Sequence, residues 1–430
     1  MRDASGYTGQ ADREFSPATP DQLAALLAEA HAARTPVTIA GSATGVTGGC
    51  CPHGGWLIHM RQFNQLAIER GRALAGAAVT LHDLNEAAAR TGQFYGPDPT
   101  EWTASVGGSI ATNASGSRSF RYGSTRRHLL SLDVAFADGT LRRFRRGEAI
   151  DFEVPAIPLP ATTKNTAGYP LAPGMDWMDL IAGSEGTLAV VVEAELQLLP
   201  TPSAVAAAVL FFDDDGAALD AVDACRPEPS LRMLEYLDRN SLRLLGEEAG
   251  AALIVESTSE EWLHALDLAG LRDDSWVAQS AADRERFRAF RHSLPERVNE
   301  LVRRNGFQKL GSDFAVPLKH NRAMTDHYHA TLAREFPGQY VLFGHIGDAH
   351  LHANILPETK EQDARGRELM LALARHAVSL GGTVSAEHGL GKRKASLLPI
   401  QYSGAVIEAM RAVKRRLDPH GILGQGNLFG

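Results

Sequence analysis

The stretch GHIGDAHLHAN, Gly344 to Asn354, constrains this chain more than any other. A Gly347-Asp348 pair between the apolar flanks VLF and NIL reads as a hairpin turn, and that turn sets His345 opposite His350 on paired strands. Side chains alternate between faces along a strand, so His352 and Asn354 share a side of the sheet with His345 and His350. Three of the sixteen histidines thus fall close together on one face. A solvated strand face is more readily furnished with Lys, Glu or Thr. Converging neutral imidazoles, by contrast, are a common way to hold a divalent cation. Glu387, in the later run Glu387-His388-Gly389, supplies a carboxylate that completes a set of two histidines and one carboxylate with open positions for a substrate.

The rest of the chain must build a scaffold for that face. At 430 residues it exceeds one ordinary core and predicts two or three domains, and 44% hydrophobic residues suffice to fill them. A net charge of −8 argues against nucleic acid or an anionic membrane surface as a partner. The polar start MRDASGYTGQADREF lacks the apolar centre of an export signal, and no later run approaches membrane-spanning length, so a cytoplasmic protein is expected. Three cysteines, two of them the adjacent Cys50 and Cys51, form neither a disulfide framework nor a zinc spacing.

The chain opens with an amphipathic helix over Thr19 to Ala33 and a strand over Val37 to Ala40 that delivers GSATGVTGG, Gly41 to Gly49. Glycines alternating with hydroxyl side chains expose backbone N–H groups there, a nest suited to a diphosphate. It is neither a P-loop nor a G-x-G-x-x-G turn. A second small-residue stretch, Ser105 to Gly116, lets the backbone approach a flat ligand closely. Arg118, Arg121, Arg126 and Arg127 follow as candidate phosphate partners. A strand over Leu132 to Ala137 then turns at Asp138-Gly139, residues 145 to 175 carry no strong element, and an alternating strand stops at Pro200, a natural domain boundary. Beyond it helix and strand alternate through the histidine hairpin to the tail HGILGQGNLF.

Taken together, GSATGVTGG, PDPTEWTASVGGSIATNASG, RYGSTRRHLLSLDVAFADG, KNTAGY and AGSEGTL resemble, in order and spacing, the flavin-binding domain of vanillyl-alcohol-oxidase-type enzymes, also called the PCMH type. LEYLD, FRAFRHSLPE, FGHIGDAHLHANI, SAEHGLGKRK and LDPHGILGQGNLF resemble the FAD-linked D-2-hydroxyacid dehydrogenases, the branch of D-lactate and D-2-hydroxyglutarate dehydrogenases and the glycolate oxidase catalytic subunit. The resemblance implies an α+β, two-domain flavoprotein. Residues 1–200 would bind FAD, residues 201–382 would form an α/β substrate cap with an antiparallel sheet, and residues 383–430 would return to the FAD domain.

It further implies FAD held by Gly41, Ser42, Thr44, Gly45, Thr47 and Gly48, with contacts from Gly107, Gly108, Thr112, Asn113, Gly116, Glu185 and Gly186. The attachment is expected to be non-covalent, because the RSxxGxH pattern of covalently flavinylated relatives is absent from the first loop. A divalent metal, zinc by family habit, falls to His345, His352 and Glu387, and the catalytic base to His388. Arg291 and Lys309 are candidates for the substrate carboxylate, with His350 and Asn354 beside it. The chain departs from the pattern at His350, where asparagine is usual and which therefore competes as a ligand, at Ala349, often glycine, and at Pro295, often polar.

A 2-hydroxy acid chelating one cation would have its hydroxyl pKa lowered and its Cα–H aimed at the flavin. His388, with an ordinary pKa near 6.5, would take the hydroxyl proton near neutrality as hydride leaves for the flavin N5, yielding a 2-oxo acid. The expected partners are that acid and an electron acceptor, whether quinone, flavoprotein or oxygen, with a homodimer left open. The rival reading is an FAD-dependent alkyl transferase of the alkylglycerone-phosphate-synthase type, whose phosphate substrate would want more basic residues nearby.

Overall fold

A computed structural model describes residues 1–430 and divides them among three sheets. The opening helix, Pro20–Ala33, starts where the Thr19 side chain accepts from the Gln22 N–H and Pro20 pre-sets the first turn. It ends at Arg34, in the left-handed region at φ 54°, and it buries Leu23, Leu27 and Ala30 along one stripe. The strand after it, Val37–Ala40, lies parallel to Trp56–His59, which is parallel in turn to Arg13–Phe15. Beside this small parallel sheet an antiparallel one is organised on the eleven-residue strand Val190–Pro200, flanked by Arg72–Gly76 and Leu129–Ala135. The stretch expected to be irregular stays so until the short helix Trp177–Ile181.

The second half builds a seven-stranded antiparallel sheet in the order Trp276–Val277, Ala206–Phe212, Ala251–Ser257, Leu231–Asp238, Tyr340–His345, His350–Ile355, Leu310–Gly311. Helices Asp215–Cys225, Ala281–Arg304, Asn321–Glu335 and Lys360–Ser379 flank it. The tail then crosses back: Val37 donates to the Ile422 carbonyl at 2.7 Å and accepts from Gly424 N–H at 2.9 Å. One buried cluster runs from Leu27 through Leu132 and Leu210 to Leu342 and Leu373, so the two halves share a continuous core.

The hairpin pairs His345 with His350, as the sequence predicts. Its connection is longer than a two-residue turn: Ile346–Asp348 forms a single 3₁₀ turn closed by Ala349 at φ 51°. A left-handed conformation is costly for alanine, and the buried surroundings hold it there, with Ala349 N–H donating to the Ile346 carbonyl and its own carbonyl accepting from Val316.

Candidate functional site

A cavity of about 1580 Å³ opens between the FAD-type loops and the seven-stranded sheet. That volume exceeds what a single small ligand needs and leaves room for a large cofactor beside a small substrate. Its wall includes Gly41, Ser42, Thr44, Gly45, Thr47, Gly107, Gly108, Thr112, Glu185 and Gly186 on one side, and Arg291, Lys309, His345, His352, Asn354, Glu387 and His388 on the other. Ser105 caps the short helix Val106–Thr112, so this small-residue stretch presents a helical N-terminus to the cavity. A Cβ on Gly41 would meet the Ser105 hydroxyl at 2.3 Å, which shows how closely the two loops approach.

Several expected flavin contacts lie off this wall. Gly48 donates to Asp3 at 2.8 Å and packs on the Tyr7 ring. Asn113 caps its helix at φ 49° while its side chain accepts from Arg126 N–H. Gly116, at φ 130°, packs on the Asp98 carbonyl. None of the four arginines beyond it lines the cavity. Arg118 forks onto Glu256, and Arg126 donates to the Ala182 carbonyl.

Glu185 lines the cavity, yet its carboxylate accepts from the N–H groups of Leu390 and Gly391 at 2.7 and 2.6 Å. It thereby ties the segment after Glu387-His388 to the first domain. Burial, offset by those two N–H groups, pushes its pKa up to about 7.

At the far wall the sheet register brings the charged residues together. Tyr236 pairs with Gly344, so the preceding Glu235 falls beside His345. Glu235 Oε1 lies 2.6 Å from His345 Nδ1, and His352 Nδ1 lies 3.2 Å from the Ser312 carbonyl. With those ring nitrogens occupied, both Nε2 atoms aim at one carboxylate oxygen: Glu387 Oε1 is 3.1 Å from His345 Nε2 and 3.5 Å from His352 Nε2. The other oxygen, Oε2, is held by Ser115 Oγ at 2.8 Å and Lys164 Nζ at 3.3 Å.

Burial alone would raise the Glu387 pKa, but Lys164 and His345 hold it well below the ordinary carboxylate range. His345 is itself held up at about 9: burial disfavours its charge, and Glu235 and Glu387 more than compensate.

A tetrahedral ion with ligands about 2.1 Å away separates its donors by roughly 3.4 Å. The spacings of 3.1 and 3.5 Å bracket that value, and the outer hydrogen bonds are of the kind that fix metal-bound histidines. These three residues therefore fit a divalent cation. His350 also lies within 4.8 Å of the same donor set. It is fully buried and absent from the cavity wall, its Nε2 is 3.1 Å from Asp313 Oδ1 off the hydrogen-bonding axis, and neither ring nitrogen has a hydrogen-bond partner. Burial and the neighbouring His352 lower its pKa to about 3. Its position is that of a packed neutral imidazole behind the wall, still within the same donor group as the other three.

His388 stacks on His352 with ring centroids 5.3 Å apart and keeps a third of its side chain exposed to the cavity. Asp313, fully buried, accepts from the His388 backbone N–H at 2.9 Å and from Ser385 Oγ at 2.8 Å, with its other oxygen 3.4 Å from His388 Nδ1. Burial, opposed by Asp313, lowers the His388 pKa to about 4, so the imidazole is a neutral base across the physiological range and not a group titrating near 6.5. Arg291, expected on the substrate, is paired with Glu235 at 2.7 Å, and Asn354 donates to the His352 carbonyl.

Sequence reasoning missed Glu235, Asp313 and Lys164, which support this site from behind. Glu235 had one local signal, an acid set between Leu234 and Tyr236 in the middle of the strand Leu231–Asp238. Lys164, at 3.3 Å from both Asp348 and Glu387, had only its place at the head of the KNTAGY motif.

Two family models match the chain. Residues 11–145 match the FAD binding domain family and residues 201–428 the C-terminal domain of FAD linked oxidases. The glycolate oxidase subunit GlcD of Bacillus subtilis is 28% identical over 98% of this chain and 90% of its own length. A D-lactate dehydrogenase of Archaeoglobus fulgidus is 29% identical over 96% and 90%. Among solved structures, an alkyldihydroxyacetonephosphate synthase superposes with a TM-score of 0.68 over 96% of this chain and 75% of that one. At 16% identity this likeness concerns the fold alone.

Proposed function

Because this chain belongs to the FAD-linked oxidases and is an oxidoreductase of the D-lactate, glycolate and D-2-hydroxyglutarate dehydrogenase type, we propose that it oxidises a D-2-hydroxy acid to the 2-oxo acid with metal assistance. The observation that carries this reading is the convergence of His345, His352 and Glu387 with the exposed face of His388, in the cavity that the FAD-type loops also line.

FAD bound at the glycine loops would supply the hydride acceptor, and a divalent ion, zinc in this reading, held by His345, His352 and Glu387 would supply a Lewis acid for the substrate hydroxyl and carboxylate. The protein supplies the remainder. Ser115 and Lys164 fix one oxygen of Glu387 so that the other faces the two imidazoles. Glu235 and the Ser312 carbonyl fix the tautomers of His345 and His352, leaving each Nε2 as a donor. Asp313 holds the backbone of His388 so that its ring projects beside His352 into the cavity, where it takes the hydroxyl proton. Non-covalent FAD is expected, released by acid precipitation. The electron acceptor is a separate species.

The test is anaerobic titration of the purified flavoprotein with D- and L-2-hydroxy acids. Bleaching of the flavin by one or more D-acids, abolished by a chelator that leaves flavin in place, is expected. Failure of every 2-hydroxy acid to bleach it would overturn the reading.

A further inference from the structure

Beside the histidines the cavity wall changes character. Strand register sets Leu237 opposite Phe343 and Phe343 opposite His352, so all three share the sheet face that carries His345. The Phe343 ring lies 6.1 Å from that of His352, centroid to centroid. The helix Ala281–Arg304 is anchored over this face where Arg291 Nε donates to Glu235 at 2.8 Å. One turn on, Leu294 and Pro295 project from the same side of the helix. Leu294, Leu237 and Phe343 pack in one apolar cluster, and all four residues line the cavity.

This part of the wall has nothing to offer a charge. Leu237 and Leu294 are buried, Pro295 and Phe343 half-buried, and no side chain among them carries a donor or an acceptor. Pro295, inside the helix, lacks a backbone N–H as well. Arg291 is held by Glu235. The ammonium groups of the cavity stand elsewhere on its wall, half-buried and without an ion pair: Lys309 precedes the edge strand Leu310–Gly311, two strands or roughly 10 Å across the sheet from Phe343, and Lys394 lies in the turn after His388. A charged group set against Phe343 would lose its water without gaining a partner. An apolar group there gains about fourfold in binding for each buried methylene.

An acid chelated through hydroxyl and carboxylate at His345, His352 and Glu387 stands with its Cα beside these residues. We propose that Leu237, Leu294, Pro295 and Phe343 receive the substituent on that Cα, so that the acid oxidised carries an apolar side chain larger than the methyl of lactate, of the size found on leucine or phenylalanine. This deepens the reading above and rests on it for the chelated end of the substrate.

The test follows anaerobic flavin reduction in the FAD-loaded protein, comparing D-2-hydroxyisocaproate and D-phenyllactate with D-lactate, D-malate and D-2-hydroxyglutarate. In wild type the first two are expected to exceed D-lactate at least tenfold in the second-order rate constant of reduction, and the diacids to fall below it. Phe343→Ser should narrow the ratio of D-2-hydroxyisocaproate to D-lactate at least tenfold and Pro295→Thr about threefold, whereas Phe343→Leu should keep most of it. A second arm, independent of turnover, titrates 4-methylpentanoate and propionate, which lack the hydroxyl, against the visible absorbance of the bound flavin. 4-Methylpentanoate should perturb the spectrum at a lower concentration than propionate in wild type, and Phe343→Ser should shrink that difference.

Fastest reduction by D-lactate or a diacid would overturn the proposal, and so would an unchanged ratio in a Phe343→Ser protein that keeps its FAD. Should Phe343→Ser not fold, an unchanged ratio in Pro295→Thr overturns it equally. If no 2-hydroxy acid bleaches the flavin while the advantage of 4-methylpentanoate still depends on Phe343, the apolar pocket stands and the oxidation does not.

Discussion

The two ends of the cavity treat charge in opposite ways. At the histidine end every charged group is matched: Glu235 with Arg291 and His345, Glu387 with Lys164 and His345, Asp313 with backbone and hydroxyl donors. At the lysine end two ammonium groups stand unpaired. A matched network holds its members in one geometry, as a metal site and a catalytic base require. An unmatched pair leaves a vacancy in charge, as an incoming anion requires. The same cavity wall carries both, with rigidity built at one end and charge left open at the other.

The largest effect is expected where the matched end meets the substrate. His388→Gln should keep FAD and metal and lower the rate of flavin reduction about a hundredfold or more, the usual scale of a lost general base. Stopped-flow reduction of the flavin checks it, and a rate within a few-fold of wild type would place the base elsewhere.

The matching itself is probed by Glu235→Gln, which leaves every proposed ligand in place but weakens the hydrogen bond that fixes His345. Metal affinity should fall about 10- to 100-fold, read by competition with a chelator. FAD content should not change.

The unmatched end should respond to pH. Burial, together with Lys394 and Arg393, lowers the Lys309 pKa to about 8. The group is charged below that value and neutral above it, so affinity for an anion in this part of the cavity should fall as pH rises past 8, by up to about tenfold. A KM for the 2-hydroxy acid that does not change between pH 7 and 10 would break the contrast between the two ends.

The smallest effect is expected at Glu185, which ties the segment after His388 to the first domain. Its folded pKa of about 7 lies above the ordinary value near 4.5, so between those values the folded state holds a proton that the unfolded chain has released. Stability therefore declines as pH rises through that window and levels off above it. Glu185→Gln should flatten the decline and cost about 1 to 3 kcal/mol at low pH, where the carboxyl is already neutral. Thermal unfolding across pH 4 to 8 measures both.

Much of this was written locally in the chain. The opening helix shows in its cap and its apolar stripe, and the pairing of His345 with His350 in a turn between apolar flanks, because caps, turns and side-chain alternation depend on neighbours a few residues away. The two-domain FAD-linked oxidase architecture was legible in the order of the glycine-rich and histidine-rich motifs. Even so, the turn after His345 proved longer than its Gly-Asp pair suggests, and the small-residue stretch proved helical, since packing decides between conformations that local propensity leaves close in energy.

Tertiary structure alone decided which charges meet. Glu235 reaches His345 through the register of two strands more than a hundred residues apart in sequence, and Lys164 reaches Glu387 across the domain junction. Arg291, read from the sequence as a substrate residue, is matched with Glu235, and His350 lies behind the wall it was expected to line. The sequence by itself determined the kinds of side chain and loop this protein presents. Whether a given charge is paired, buried or open to a substrate depends on long-range packing and desolvation, which have no local signature.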